Sequence, residues 1–282
     1  MIVDAHHHLW DPARREYPWM TGPFRRLAER RDVAALRAVA GPAGVTATVA
    51  VQAAHDEDET RDLLAAAAAS GGLVAGVVGW VDLAAADVGQ RLAGLRAAPG
   101  GERLVGIRHQ VHDEPDPTSW LARVDVRRGL AAVAAAGLAY DLLVFPGHLP
   151  AARELAASLP ELRLVLDHAA KPPIAAGGWE PWSTDLAALA ALPNVAGKLS
   201  GLVTEAPWDG WRTSGVERYA ARVLDAFGPD RLMWGSDWPV CTLAASYGEV
   251  LELAQAAVAA LGEAERAAVL GGNARRVYGL TR

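Results

Sequence analysis

The chain has 282 residues, of which 51% are hydrophobic and 21% are charged, and its formal net charge is -6. This composition excludes a disordered chain, and the scattered, outnumbered basic residues disfavour nucleic acid and membrane surfaces as partners. The single cysteine, Cys241, excludes an internal disulfide and a CxxC metal site, and no signal peptide is visible. We therefore expect a cytoplasmic protein made of one barrel-sized domain or two smaller ones.

Eight short apolar runs recur along the chain, and each is followed by an Ala-rich stretch with helical spacing. Their starts lie about 30 to 40 residues apart, which is the length of a βα unit. The runs lack strict alternation, as is typical of strands buried on both faces in a parallel sheet. No Pro/Ser linker divides them, so the sequence predicts one (β/α)8 TIM barrel domain over residues 1–282. The predicted strands are 2–5, 45–51, 73–81, 104–107, 138–145, 162–166, 195–199 and 232–234.

Helical spacing fills the intervals between these strands. The uncharged stretch 63–81 is interrupted by Ser70, Gly71 and Gly72, so it predicts the end of a helix followed by a strand and not a membrane span. The predicted helices are 33–39, 58–69, 86–97, 127–136, 151–158, 185–191 and 215–227, with closing helices at 247–261 and 263–270.

Polar side chains end six of the eight predicted strands. In a (β/α)8 barrel the carboxyl ends of the strands form one rim, and that rim carries the active site. We therefore expect these residues to converge: His6 to His8, Gln52, Arg108 to Gln110, Asp167 and His168, Lys198 to Ser200, and Ser236 with Asp237.

Two histidines of the first strand are spaced to act together. The strand period of two puts His6 and His8 on one face and His7 on the other. Such a pair can share a cation or point at one substrate oxygen. The alternatives are buried structural histidines or an expression tag, but a run of three histidines inside a strand pattern disfavours a tag. His168 and Asp237 are predicted at the same rim, which strengthens the functional reading.

Together these motifs resemble the amidohydrolase superfamily, and within it the lactonase branch that includes L-fuconolactonase, L-rhamnonolactonase and pyrone dicarboxylate lactonase. The resemblance runs from the first strand to the last helix. It rests on Asp4 to Asp11, Gly106 to His109 with Asp113 to Asp116, Leu166 to His168 with Lys171 to Pro173, Lys198 to Leu202, Trp234 to Pro239, and Gly272 to Ala274.

The resemblance implies a barrel that opens a cyclic ester with water, with Asp237 as general base. It also implies that His6, His8 and His168 surround the scissile carbonyl or a divalent metal. His6, His8 and Asp237 would hold one zinc or manganese ion, although members of the branch also resemble a metal-free design. A binuclear centre is disfavoured, because strand 5 offers Asp141 in place of a histidine and strand 4 carries Arg108 and His109 in place of a lysine.

Further rim residues are candidates for binding the substrate. Arg108 is expected to clamp the substrate or to pair with Asp113 or Glu114, and alternation lets only one of Arg108 and His109 face the pocket. His109 or protonated Asp237 would be the acid for the leaving group. Lys198 and Ser200 are expected to be structural, and Asp167 to point away from His168. The remaining substrate-binding candidates are Gln52, Lys171, His148, Trp10 and Trp238.

The flat indoles and few cations favour a sugar lactone, such as L-fuconolactone or L-rhamnonolactone, as the small-molecule substrate. Three alternatives stay open at this point. They are a pyrone or muconolactone-type dicarboxylate lactonase, a metal-dependent decarboxylase, and a non-catalytic sugar-binding barrel. The sequence makes no prediction of the oligomeric state.

Overall fold

The computed structural model describes residues 1–280, and its centre is a sheet of eight parallel strands in the order β1-β2-β3-β4-β5-β6-β7-β8. Each strand pairs with its neighbour in sequence, so the predicted (β/α)8 barrel is confirmed. The strands are β1 (Ile2–His7), β2 (Val45–Val51), β3 (Val74–Gly79), β4 (Leu104–His109), β5 (Ala139–Leu142), β6 (Arg163–Leu166), β7 (Val195–Leu199) and β8 (Leu232–Trp234).

The two ends of the sheet meet at the site-bearing edge. The amide of Asp237 donates to the carbonyl of His6 at 2.8 Å, and the amide of His8 donates to the carbonyl of Trp238 at 2.7 Å. Below this contact the buried carboxylate of Asp4 accepts hydrogen bonds from the amide and hydroxyl of Ser236, at 2.8 and 2.6 Å. The closure therefore brings the histidines of β1 beside Asp237 at the end of β8.

The helices surround the barrel largely where their spacing predicted them. The exceptions are the short helices α4 and α8, which are too brief to show a period, and the closing region, which ends in a helix that the sequence did not predict. The helices are α1 (Val33–Ala40), α2 (Glu57–Ala69), α3 (Val88–Ala97), α4 (Pro117–Ala122), α5 (Val124–Ala135), α6 (Leu149–Ser158), α7 (Trp182–Ala190), α8 (Leu202–Glu205), α9 (Val216–Phe227), α10 (Tyr247–Ala257), α11 (Glu263–Ala267) and α12 (Asn273–Tyr278).

Helix α12 packs against the residues that fill the barrel interior. Ala274, Val277 and Tyr278 belong to the same buried cluster as Val3 of β1 and Met233 of β8. The Tyr278 hydroxyl reaches the Asp141 carboxylate at 2.8 Å. A second, larger core lies between the strands and the surrounding helices. Within residues 1–280, no helix is long and apolar enough to cross a bilayer.

Candidate active site

Asp237 is the point on which three imidazoles converge. Its Oδ1 atom lies 3.8 Å from Nε2 of His6, 3.5 Å from Nε2 of His8 and 3.7 Å from Nε2 of His168. All four side chains are nearly inaccessible to solvent. No lysine or arginine among residues 1–280 comes within 4.0 Å of this carboxylate, so the charged or polar rings nearest to it are imidazoles.

The hydrogen bonds of His8 fix which of its nitrogens carries a proton. Nδ1 lies 2.8 Å from the carbonyl oxygen of Val51, which can only accept, so Nδ1 carries the proton. In the neutral ring Nε2 is then an acceptor, and it faces the carboxylate oxygen of Asp237. Two acceptors 3.5 Å apart do not bond each other directly, so this pair is suited to share a water molecule or a cation.

Backbone strain positions two of these groups. Asp237 has a φ of 56°, and the four residues His168 to Lys171 have φ values of 51°, 50°, 59° and 54°. Left-handed conformations cost non-glycine residues roughly 1 to 2 kcal/mol each. The turn is held at its centre, where the Trp182 indole donates to the Ala169 carbonyl at 2.8 Å. Nδ1 of His168 lies 2.9 Å from the Ser200 hydroxyl, which holds the ring in place.

A buried network of charges supports His6 from below. The Lys198 ammonium lies 3.0 Å from Nδ1 of His6, 2.5 Å from Asp141 and 2.9 Å from Asp167. Arg108 completes the network, because its Nη1 atom lies 3.0 Å from Asp167. The two positive and two negative charges of this network cancel. Asp237, above the network, therefore carries a negative charge that no member of it neutralises.

The pKa values follow from burial and these contacts. Burial would raise the pKa of Asp237, but His168, His8 and Lys171 lower it below its usual range. Burial lowers the pKa of His168 to about 4 and holds the pKa of His6 well below its ordinary value. Asp237 is therefore ionised and both imidazoles are neutral near pH 7, the states that a general base and its polar surroundings require.

A cavity of about 380 Å³ opens above this cluster. Asp237, His8, His168 and Arg108 line it, and Lys171 extends into it. Its other walls combine groups that bind hydroxyls with apolar side chains. These residues are Trp19, Phe24, Ala53, Gln110, His112, Asp113, Leu143, Phe145, Thr204, Glu205 and Val240.

Arg108 lines the cavity, whereas His109 does not. The ring of His109 stacks between His55 and Trp120, with centroids 4.1 and 4.3 Å away. Its Nδ1 accepts from the Trp80 indole, and its Nε2 lies 2.7 Å from Glu114. His109 therefore lies outside the cavity lining, and its contact with substrate and its role as the leaving-group acid stay predictions.

Four other residues that the sequence predicted as substrate contacts lie outside the cavity lining. Gln52 is buried, and its side-chain oxygen accepts from Arg108 at 3.0 Å. The Nδ1 atom of His148 accepts from the amide of Phe145, so it supports the loop after β5. These two side chains hold neighbours of the cavity instead of lining it.

The indoles of Trp10 and Trp238, which the sequence predicted at the rim, do not line the cavity either. Trp10 stacks against His8 at 5.8 Å, and its indole donates to the carbonyls of Leu27 and Glu29. Trp238 is buried in the barrel closure. The indole that lines the cavity is Trp19, from the long segment after β1, joined by Phe24. That segment has no periodicity, so the sequence held no signal that it folds over the mouth.

The donor set fits a single divalent ion. Ligand atoms of His6, His8 and Asp237 lie within 4.8 Å of one another, and the unprotonated Nε2 of His8 faces the carboxylate. Two imidazole nitrogens and one carboxylate oxygen are typical ligands of a catalytic zinc site that keeps an open position. His6, Asp167 and His168 form a second close group, but Lys198 and Arg108 already pair with Asp167.

Comparison with known proteins agrees with this geometry. The amidohydrolase family model matches residues 3–280. The chain is 42% identical to an L-fucono-1,5-lactonase of Burkholderia multivorans, covering 99% of this chain and 96% of that one. It is 40% identical to an L-fucono-1,5-lactonase of Burkholderia ambifaria, with the same coverage. A crystal structure of a Burkholderia multivorans amidohydrolase with bound zinc superposes with a TM-score of 0.92 at 41% identity, covering all of both chains. The chain therefore belongs to the amidohydrolase family.

Proposed function

We propose that this protein is a lactonase that hydrolyses a sugar lactone, with L-fucono-1,5-lactone as the first substrate to test. The observation that carries the proposal is the ionised Asp237, which faces the acceptor Nε2 of His8 across 3.5 Å at the floor of the cavity. A water molecule that donates one hydrogen bond to each of these acceptors presents its oxygen lone pair to a lactone carbonyl above it. The identity to two L-fucono-1,5-lactonases supports the choice of substrate.

In this mechanism Asp237 takes a proton from the water as the new C–O bond forms. General-base catalysis of this kind contributes about 10²- to 10⁴-fold to a rate. The carbonyl oxygen gains negative charge, and the Arg108 guanidinium, which lines the cavity and is held by Asp167, stabilises it. His168, held by Ser200, borders the same carbonyl. If a divalent ion is bound by His6, His8 and Asp237, it would lower the pKa of the attacking water and polarise the carbonyl.

The charges of the cavity favour a neutral sugar lactone over a dicarboxylated one. Asp113, Glu205 and Asp237 line the cavity against two cations, Arg108 and Lys171. Both cations already contact carboxylates, Arg108 with Asp167 and Lys171 with Glu205. A dianionic substrate would therefore meet an excess of negative charge, whereas a polyhydroxylated ring finds donors, acceptors and the apolar faces of Trp19 and Phe24.

The test is a pH-indicator assay with L-fucono-1,5-lactone, an L-rhamnonolactone and 2-pyrone-4,6-dicarboxylate. We expect the sugar lactones to be opened well above their spontaneous rates and the dicarboxylate at least 100-fold more slowly. Preference for the dicarboxylate would overturn the substrate assignment. Metal analysis of the purified protein, with activity measured before and after chelation, decides between zinc, manganese and metal-free catalysis.

The proposal also includes a cytoplasmic location. It is supported by Cys241, which is buried and unpaired, because disulfides are characteristic of oxidising compartments. Fractionation of the native host, with detection by antibody, would test it.

A further inference from the structure

The proposed reaction still requires a proton for the departing ring oxygen. When the C–O bond of the lactone ring breaks, its electron pair goes to an alkoxide, which is a poor leaving group unless it is protonated. Asp237 starts as the base, and His109 lies outside the cavity. The acid must therefore be another group of the cavity wall.

Most groups that line the cavity are poor candidates for this acid. The guanidinium of Arg108 does not give up a proton in proteins. Burial lowers the pKa of His168 to about 4 and that of His112 to about 3, so both rings are neutral near pH 7. Glu205 is paired with an ammonium. Burial raises the pKa of the Asp113 carboxyl, but half of this side chain is exposed to solvent, so it is less suited than an ammonium to supply a proton at pH 7. The remaining protonated group is the ammonium of Lys171.

The strained turn aims Lys171 into the cavity together with His168. The amide of Lys171 donates to the carbonyl of His168 at 2.8 Å, so these two residues are the first and the last of a four-residue turn. Side chains three positions apart in such a turn lie on the same side. The His168 side chain is 5% exposed and that of Lys171 is 22% exposed, so Lys171 lies nearer the mouth of the cavity.

The composition of the chain supports a specific need for an ammonium. Of its 27 basic residues, 25 are arginine and two are lysine, Lys171 and Lys198. Lys198 is the buried support of His6, and Lys171 lines the cavity. In a chain that uses arginine elsewhere for its surface charge, both lysines stand at the candidate site. An ammonium differs from a guanidinium in that it can transfer a proton.

We propose that Lys171 is the catalytic acid that protonates the departing ring oxygen, and that Glu205, 2.6 Å from its Nζ atom, holds it in place. This inference rests on the proposed lactonase function. As the C–O bond breaks, the ring oxygen takes its electron pair and one proton from Lys171, while Asp237 holds the proton taken from water. The new carboxylic acid loses its proton, and Lys171 and Asp237 return to their starting states by proton exchange with solvent.

The test compares Lys171→Arg, Lys171→Ala and wild type on L-fucono-1,5-lactone, with circular dichroism to confirm folding. Lys171→Arg keeps the charge and removes the transferable proton, so we expect kcat to fall about 100-fold or more, as for the alanine variant. Adding methylammonium should restore part of the activity of Lys171→Ala, whereas guanidinium at equal ionic strength should not. Arg222→Lys, a change of the opposite type at a pair with Asp225 outside the cavity, is the control and should stay within about twofold.

Two results would overturn the inference. One is a kcat of Lys171→Arg within threefold of wild type, and the other is equal rescue of Lys171→Ala by guanidinium and methylammonium, since either shows that charge alone suffices. Neither result touches the lactonase proposal, which fails only if wild type opens no lactone above the spontaneous rate or if Asp237→Asn retains full activity.

Discussion

Lys198 illustrates how much of the site depends on a residue that does not line the cavity. Its ammonium is fully buried and contacts two carboxylates and His6. Burial raises the pKa of Asp141 to about 6, although Lys198 opposes the shift, while contacts with Lys198 and His6 hold the pKa of Asp167 well below its usual range despite burial. The position of His6 therefore rests on a balanced set of buried charges.

Replacing Lys198 with methionine should leave two buried carboxylates without their shared cation. We expect the free energy of unfolding to fall by about 3 to 5 kcal/mol, as is usual when one member of a buried ion pair is removed. Urea denaturation at pH 7 measures this. Arg14→Met, at a largely exposed ion pair, is the control and should change stability by less than about 0.5 kcal/mol. A loss below about 1 kcal/mol for Lys198→Met would contradict the network.

At this scale the strand period predicted much of the site. It placed His6 and His8 on one face, and the structure puts their Nε2 atoms 3.3 Å apart, while His7 turns away to Thr48. It also predicted that one of Arg108 and His109 faces the cavity, and that residue is Arg108. It could not predict that Asp167 contacts His6 and Arg108, since that depends on how distant strands pack. The catalytic roles of these residues stay predictions.

The left-handed turn His168 to Lys171 is the element on which the site depends most. It carries His168 at one end and Lys171 at the other, and Ala169 and Ala170 between them are buried. A β-branched residue would be disfavoured there at positive φ, whereas the small side chain of alanine is better tolerated. No glycine occurs between residues 167 and 173, so the sequence held no signal for four successive residues at positive φ.

The same Ala→Gly change should have different effects in this turn and in a right-handed helix. Ala170→Gly loses a buried methyl group but relieves the left-handed strain, so we expect stability within about 0.5 kcal/mol of wild type. Ala152→Gly, equally buried in α6, loses the methyl group and weakens the helix, at a cost of about 1 to 2 kcal/mol. Thermal denaturation of both variants measures the difference. Equal losses of stability in the two variants would contradict the backbone strain assigned to the left-handed turn.

Element by element, apolar runs and helical spacing predicted the strands and the long helices. They did not predict α12, because Asn273–Tyr278 follows an irregular stretch at Ala268–Gly272 that hides its period. The predicted helix at 263–270 ends at Ala267, directly before that stretch. Short elements of this kind are fixed by packing against the barrel. A single sequence does not reveal that packing.

For the whole molecule, buried histidines make stability depend on pH. Burial lowers the pKa of five histidines that are buried or half-buried, and the pKa values of His109 and His168 fall to about 4. Between about pH 4 and 6.5 the unfolded chain binds protons that the folded chain excludes. The free energy of unfolding therefore decreases as the pH is lowered through this window. Asp4, Asp141 and Glu59 act in the opposite direction, because their pKa values are raised to about 6, 6 and 7.

Since the histidines outnumber these carboxyls, we expect the free energy of unfolding to decrease from pH 7 to pH 4.5. Glu59→Gln removes one opposing group and should make the decrease steeper. Urea denaturation of both proteins at the two pH values measures the change. A wild-type protein that is as stable at pH 4.5 as at pH 7 would contradict the burial of these rings in neutral form.

That residues 1–282 form one domain also stays a prediction, since Thr281 and Arg282 lie outside the described residues.

The central claim is that Asp237 activates water for the opening of a lactone, and the direct measurement is the rate of L-fucono-1,5-lactone hydrolysis by wild type and Asp237→Asn. We expect wild type to exceed the spontaneous rate, and the variant, folded by circular dichroism, to lose at least about 100-fold in kcat. Asp209→Asn, at an exposed residue, is the matched control and should retain wild-type activity. Full activity in Asp237→Asn, or a wild type no faster than the spontaneous reaction, would contradict the account.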